Sequence, residues 1–194
     1  MKWSGLRAMA LVLGLGVAGT AVAQDEGPMG KVKVFLKGGV SDYTGEVGED
    51  VDTGPAWGLT VNIQPLRIIG FELGYDGSRN GISNDLLPDA TLTRNGATGL
   101  VKIAPPFLES VKPFVGAGLG ASYISVSGGA GLYDSDLVEE VPLAAGIEFN
   151  TGNLTTGVRA TYRILVDESF AADTAPGNPQ GGLFDASLTL GGRF

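Results

Sequence analysis

Asp50, Asp52, Asp134, Asp136, Glu139 and Glu140 are the side chains whose spacing could hold a cation. Asp50–Val–Asp52–Thr–Gly54 alternates like two ligands of a calcium loop, but no distal glutamate stands at the offset that closes such a loop. Asp134, Asp136, Glu139 and Glu140 are an incomplete ligand set too, and both groups read as solvated loop charge. Gly116–Ala–Gly–Leu–Gly–Ala121 resembles a dinucleotide-binding fingerprint, yet no helical period follows it, so the strand–turn–helix context is missing. Asn153–Leu–Thr155 fits a glycosylation triplet but sits in a turn and carries no weight. The chain has no histidine and no cysteine. The usual general base for a serine nucleophile is therefore absent. A Ser–Lys or carboxylate-only site stays chemically open, but no spacing marks one. No enzyme activity, cofactor or metal site is expected, and no disulfide can form.

One further set of charges has a clear spacing. Lys33, Lys37, Glu72, Arg94, Lys102, Glu140, Glu148, Arg159, Arg163 and Arg193 stand at alternate positions of segments whose other positions are apolar. Asn62, Asp76 and Lys112 share their parity. Period-two alternation is the mark of strands. Eight such segments follow one another, at about 31–43, 56–64, 68–77, 91–104, 111–125, 137–149, 154–165 and 183–194. In the last, Ala186, Leu188, Leu190, Gly192 and Phe194 oppose Ser187, Thr189, Gly191 and Arg193. Pro142 is awkward inside the sixth, because proline cannot donate to a ladder, and is expected near a rim or at a bulge.

The connectors sort by length. Those after segments 1, 3, 5 and 7 are long and polar; those after 2, 4 and 6 are short. A soluble sandwich gives no reason for that sorting, whereas a bacterial outer-membrane barrel has short periplasmic turns and long extracellular loops. The expected fold is all-β: an eight-stranded antiparallel up-and-down transmembrane β-barrel. Residues 1–23 read as a cleaved secretory signal, with Lys2 and Arg7 before an apolar run and Ala21–Val–Ala23 as the cleavage site. Residues 24–30 are a short periplasmic lead-in and residues 31–194 the barrel. The net charge of −8, made more negative when Lys2 and Arg7 leave with the signal, argues against nucleic acid as a partner.

In that frame the apolar positions face lipid and the charged positions face the lumen. Tyr43, Trp57, Tyr75 and Tyr123 are expected in an outer aromatic girdle, and Phe71, Phe149 and Phe194 in a periplasmic one. An eight-stranded lumen is just wide enough for side chains to fill. Acids and bases confined there should pair, since an unpaired buried charge is costly. The expected lumen is thus an ion-pair plug; a narrow polar path through it is the alternative. Arg193 should turn inward and find an acidic or carbonyl partner.

Val111–Lys–Pro–Phe–Val–Gly–Ala–Gly–Leu–Gly–Ala–Ser–Tyr123 resembles a strand of the OmpA/OmpX/OmpW-like small outer-membrane barrels. The closing Leu188–Thr–Leu–Gly–Gly–Arg–Phe194 is similar to the assembly signal of that class, carried by Leu188, Leu190, Gly192 and Phe194. The resemblance implies outer-membrane lipid and lipopolysaccharide as surroundings, and the barrel-assembly machinery and periplasmic chaperones as partners in biogenesis. The acidic loops could then bridge to lipopolysaccharide phosphates through divalent cations. Enzymes among outer-membrane barrels use histidine, which is missing here. The implied role is structural, envelope-maintaining or surface-interacting. A narrow channel or transporter for small solutes is the alternative, and a soluble lipocalin-type carrier a third reading that would need the faces reversed.

Overall fold

The computed structural model describes residues 31–66, 68–82, 90–105, 110–128, 136–166 and 181–194. The expected signal and lead-in, and Asp134, lie outside them. Eight strands follow in order: β1 (Lys31–Gly45), β2 (Gly54–Gln64), β3 (Ile69–Gly81), β4 (Thr91–Ile103), β5 (Val111–Ser127), β6 (Asp136–Thr151), β7 (Leu154–Val166) and β8 (Gly181–Arg193). Each pairs antiparallel with the next, and β8 pairs back onto β1, so the sheet is a closed barrel without edges. A short 3-10 turn over Glu46–Glu49 follows β1. No helix among the described residues is long and apolar enough to cross a membrane.

The register fixes the shape. Val32 pairs with Ile63, then the row passes through Phe71, Val101, Ala117, Leu143, Tyr162 and Phe184 and returns to β1 at Asp42, ten residues further along. A stagger of that size tilts the strands by roughly 35–45° and leaves an interior that side chains fill. The strands run from 11 to 17 residues, against the roughly 9–11 that a tilted strand needs to cross lipid.

The two faces are those of an inside-out protein. Leu36, Leu73, Leu119 and Leu188 are 63 to 73% exposed, while Arg94 and Glu140 are 1% exposed. Water would penalise such an exterior; hydrocarbon does not. Gly58 shows how glycine serves the crowded inner face. A Cβ there would stand 2.7 Å from both the Asp76 carboxylate and the Lys37 stem.

Three sequence expectations change. Ser78–Gly81, expected as loop, belongs to β3, because Ser78 and Asn80 turn inward and are buried. Asn80 donates to the carbonyls of Ser41 (3.0 Å) and Asp52 (2.9 Å), so polar composition did not mean solvent. Pro142 is neither at a rim nor at a bulge. It is buried within β6 and paired with Arg163 of β7, while its two rungs toward β5 drop out with no shift of register. Tyr43 leaves the girdle: it is 3% exposed and lies inside. It shares the parity of Lys33 and Phe35, not that of Leu36 and Val40, and the pleat decides.

Candidate functional site

The lumen is where the chemistry-bearing side chains meet. Because strand residues alternate, each strand delivers every second side chain to the interior. The ion pairs fall into two tiers.

The tier nearer the short turns is built on Glu72 of β3 and Glu148 of β6. Glu148 accepts from Lys33 at 2.9 Å and is also paired with Lys102. Glu72 accepts from Lys102 (3.1 Å), Arg159 (2.7 Å) and the Asn62 amide (3.3 Å). Lys33 belongs to β1 and Glu148 to β6, so their bond crosses the barrel. Phe35 and Phe114 pack among these charges, with the Lys102 ammonium 4.2 Å and the Arg159 guanidinium 5.6 Å from the Phe114 ring centre. Such contacts offset part of the desolvation of each cation. Leu100, Ala104, Phe114 and Ala144 form a small apolar cluster beside them.

The second tier is built on Asp76 and Glu140. Glu140 takes Arg94 through two bonds of 2.7 and 2.5 Å, the Ser122 hydroxyl at 2.5 Å and Arg163 at 3.3 Å. Asp76 pairs with Lys37 and with Arg163 at 3.2 Å, and accepts from the Thr98 hydroxyl. Arg163 also pairs with Asp185. Two-toothed Arg–carboxylate geometry is the strongest form of such a bond. The space left among Lys37, Asp76, Arg94, Arg163 and Asp185 is about 20 Å³, room for about one water.

Above this tier, at the loop end, the interior turns apolar. Tyr43, Val51, Ile82, Ala90, Leu92, Ile124, Val138, Leu165 and Leu183 form one buried cluster. Val51 and Ile82 are joined by a bridge that folds the first loop over the mouth. The sequence reading missed this cap. Its signal was present: Leu92, Ile124, Val138, Leu165 and Leu183 are apolar residues on the charged parity, at the loop ends of their strands. It also passed over Asp185, which has the inward parity of Ser187 and Thr189.

Arg193 stands apart from both tiers, giving one bond of 2.5 Å to the Gly152 carbonyl in the β6–β7 turn. Trp57, Phe71, Tyr75, Tyr123 and Phe149 are 41 to 50% exposed on the outer wall, and Phe194 83%. Tyr162 and Phe184, not singled out from sequence, are exposed there too. Leu188 and Leu190 face outward, and the Phe194 amide donates to the Val32 carbonyl across the closing seam.

The acidic groups weighed as cation sites do not assemble among the described residues, which contain no group of three metal-ligating side chains. Glu140 in particular is buried and held by arginines, while its neighbour Glu139 points outward. The glycines of 116–121 lie along β5, with no helix after them.

Solved structures of similar fold cover nearly the whole of this barrel. Neisserial surface protein A matches with a TM-score of 0.61 at 16% identity, over 85% of this chain and 99% of that one. Ail of Yersinia pestis matches at 0.58 and 15%, over 86% and 99%. The outer membrane protein OprG of Pseudomonas aeruginosa matches at 0.53 and 15%, over 86% and 97%. At these identities the likeness is one of fold. No curated protein sequence matches the chain. The model of the outer membrane protein beta-barrel domain family matches residues 8–194. With the closed eight-strand barrel, its inside-out faces and that match together, the chain belongs to the outer membrane protein β-barrel family, and its place is the bacterial outer membrane.

Proposed function

We propose that this outer-membrane barrel is a non-enzymatic envelope protein with a closed lumen, acting through its wall and loops in envelope integrity or surface interaction. The observation that carries this reading is the packing of the described interior: two tiers of paired charge around a water-sized space, beneath an apolar cluster. No histidine stands in the chain to serve a nucleophile, and every lumen carboxylate described is engaged by a cation. Residues 1–23 are read as the cleaved signal and 24–30 as the periplasmic lead-in. Leu188, Leu190, Gly192 and Phe194 are read as the signal to the assembly machinery after escort by periplasmic chaperones. Trp57, Tyr75 and Tyr123 would then hold the outer interface, and Phe71, Phe149 and Phe194 the periplasmic one.

One structure of Ail holds the heparin analogue sucrose octasulfate, a polyanion. The loop end here favours another kind of partner. Asp42, Glu49, Asp50, Asp52 and Glu139 are exposed there, with Arg79 the only exposed base at that end among the described residues. A polyanion would be repelled, whereas a cationic surface, or lipopolysaccharide phosphate bridged by divalent cations, would be drawn in.

The second reading, a narrow channel, is favoured by the missing β5–β6 rungs at Pro142 and the water-sized space near Arg163. Swelling of proteoliposomes in isosmotic small sugars separates the two. A closed barrel swells no faster than protein-free vesicles; swelling graded by solute size would assign the channel.

A further inference from the structure

The two tiers differ in charge balance. In the loop-side tier three cations, Lys37, Arg94 and Arg163, meet three carboxylates, Asp76, Glu140 and Asp185. Among the described residues of the periplasmic tier and its mouth, Lys33, Lys102, Lys112, Arg159 and Arg193 stand with two carboxylates, Glu72 and Glu148. Uncompensated positive charge in a narrow, low-dielectric mouth is costly, and a bound anion removes that cost.

The spare donors share one end of the barrel. Lys112 lies directly across from Glu148 in the β5–β6 ladder, and Phe114, two residues on, points inward. Lys112 has no hydrogen-bond or ion-pair partner among the described residues. Arg193 lies across from Lys33 in the β1–β8 ladder. It spends one guanidinium nitrogen on the Gly152 carbonyl, and its Nε is buried without a partner. Asn150 accepts from Lys33 (3.1 Å) and the Thr155 hydroxyl (2.9 Å) with its oxygen, and its amide nitrogen is buried without a partner. Lys33 links the set, since it touches both Glu148 and Asn150. Lysine and arginine side chains are donors only, so what engages them must supply acceptors.

We propose that the periplasmic mouth of the barrel is an anion site that takes a phosphate-type oxyanion among Lys33, Lys112, Arg193 and the Asn150 amide. A phosphate offers several acceptor oxygens and a full charge, which suits two ammonium groups, a guanidinium edge and an amide at the rim of a cylinder. The phosphate comes either from a phospholipid headgroup of the inner leaflet or from free orthophosphate. The site depends on the mouth alone and holds whether or not the lumen conducts.

The test uses the mature chain refolded in a phosphate-free non-ionic detergent, in two arms. Orthophosphate is titrated by calorimetry in the first. In the second, the protein is equilibrated with micelles doped with phosphatidylglycerol and examined by native mass spectrometry. One phosphate-bearing ligand per barrel is expected. Binding in the first arm shows that free phosphate suffices, and binding in the second arm alone assigns the headgroup. Lys112→Gln removes a side chain with no partner among the described residues, so the barrel should still fold, as its shifted migration in unheated detergent gels would show. Affinity should fall at least tenfold in Lys112→Gln and in Arg193→Gln, and be kept in Lys112→Arg. Absence of one-to-one binding in both arms, or equal binding by wild type and Lys112→Gln, would overturn the proposal.

Discussion

Glu140 concentrates the electrostatics of the lumen in one residue. It is 1% exposed and holds Arg94, Arg163 and Ser122 at once. Deleting it strands the buried Arg94 guanidinium and takes from Arg163 one of its three carboxylate partners. Glu140→Ala should therefore lose about 3–5 kcal/mol, the usual cost of breaking a buried pair from one side. The measurement is the urea midpoint of the refolded barrel, followed by Trp57 fluorescence. Replacing Arg94 and Glu140 together by leucines should cost less than Glu140→Ala, because no charge is left unpaired in that couple. Parity alone placed Glu140, Arg94 and Arg163 on the inner face from the sequence. It could not name partners, because Arg94 reaches Glu140 across strands far apart in the chain. Tyr43 shows the opposite case: its parity pointed inward all along, and the general preference of tyrosine for interfaces misplaced it.

At the level of strands, each side of the wall constrains substitution differently. Leu188 of β8 is 68% exposed on the outer face. Leu188→Arg should cost about 2–4 kcal/mol near mid-depth in lipid, measured as a lower unfolding midpoint in vesicles than for the wild type. Gly146 of β6 faces inward, and a Cβ there would come within 2.7 Å of the Phe114 ring and 2.3 Å of the Val158 carbonyl. Gly146→Val should therefore destabilise by roughly 1–3 kcal/mol through overpacking, read in the same assay. The strands were legible because hydrophobicity alternates along each of them. Their loop-side ends were not: Ser78 to Gly81 and Gly54 join ladders through pairing with distant partners, and local composition reads as turn. Pro142 was misplaced for a similar reason. Its missing donor is absorbed by a two-rung gap toward β5, which no local rule of strand chemistry foretells.

For the whole molecule, polarity is sorted by depth and by side. Leucines and aromatic rings cover the wall, paired charges fill the middle of the lumen, an apolar cluster lies at its loop end, and Lys112 and Arg193 stand at the periplasmic end. The eight-strand count, the closure and the membrane setting were legible in the alternation and in the sorting of loop lengths. The apolar cap was not, since it needs Val51 and Ile82 from outside the main strands to fold over the mouth. The central claim is that this lumen is shut. Single-channel recording in planar lipid bilayers, with protein refolded to the heat-modifiable form, tests it most directly. Quiet traces at moderate voltage are expected, because paired charge and the apolar cluster fill the described part of the lumen. Reproducible openings of one defined conductance would contradict it.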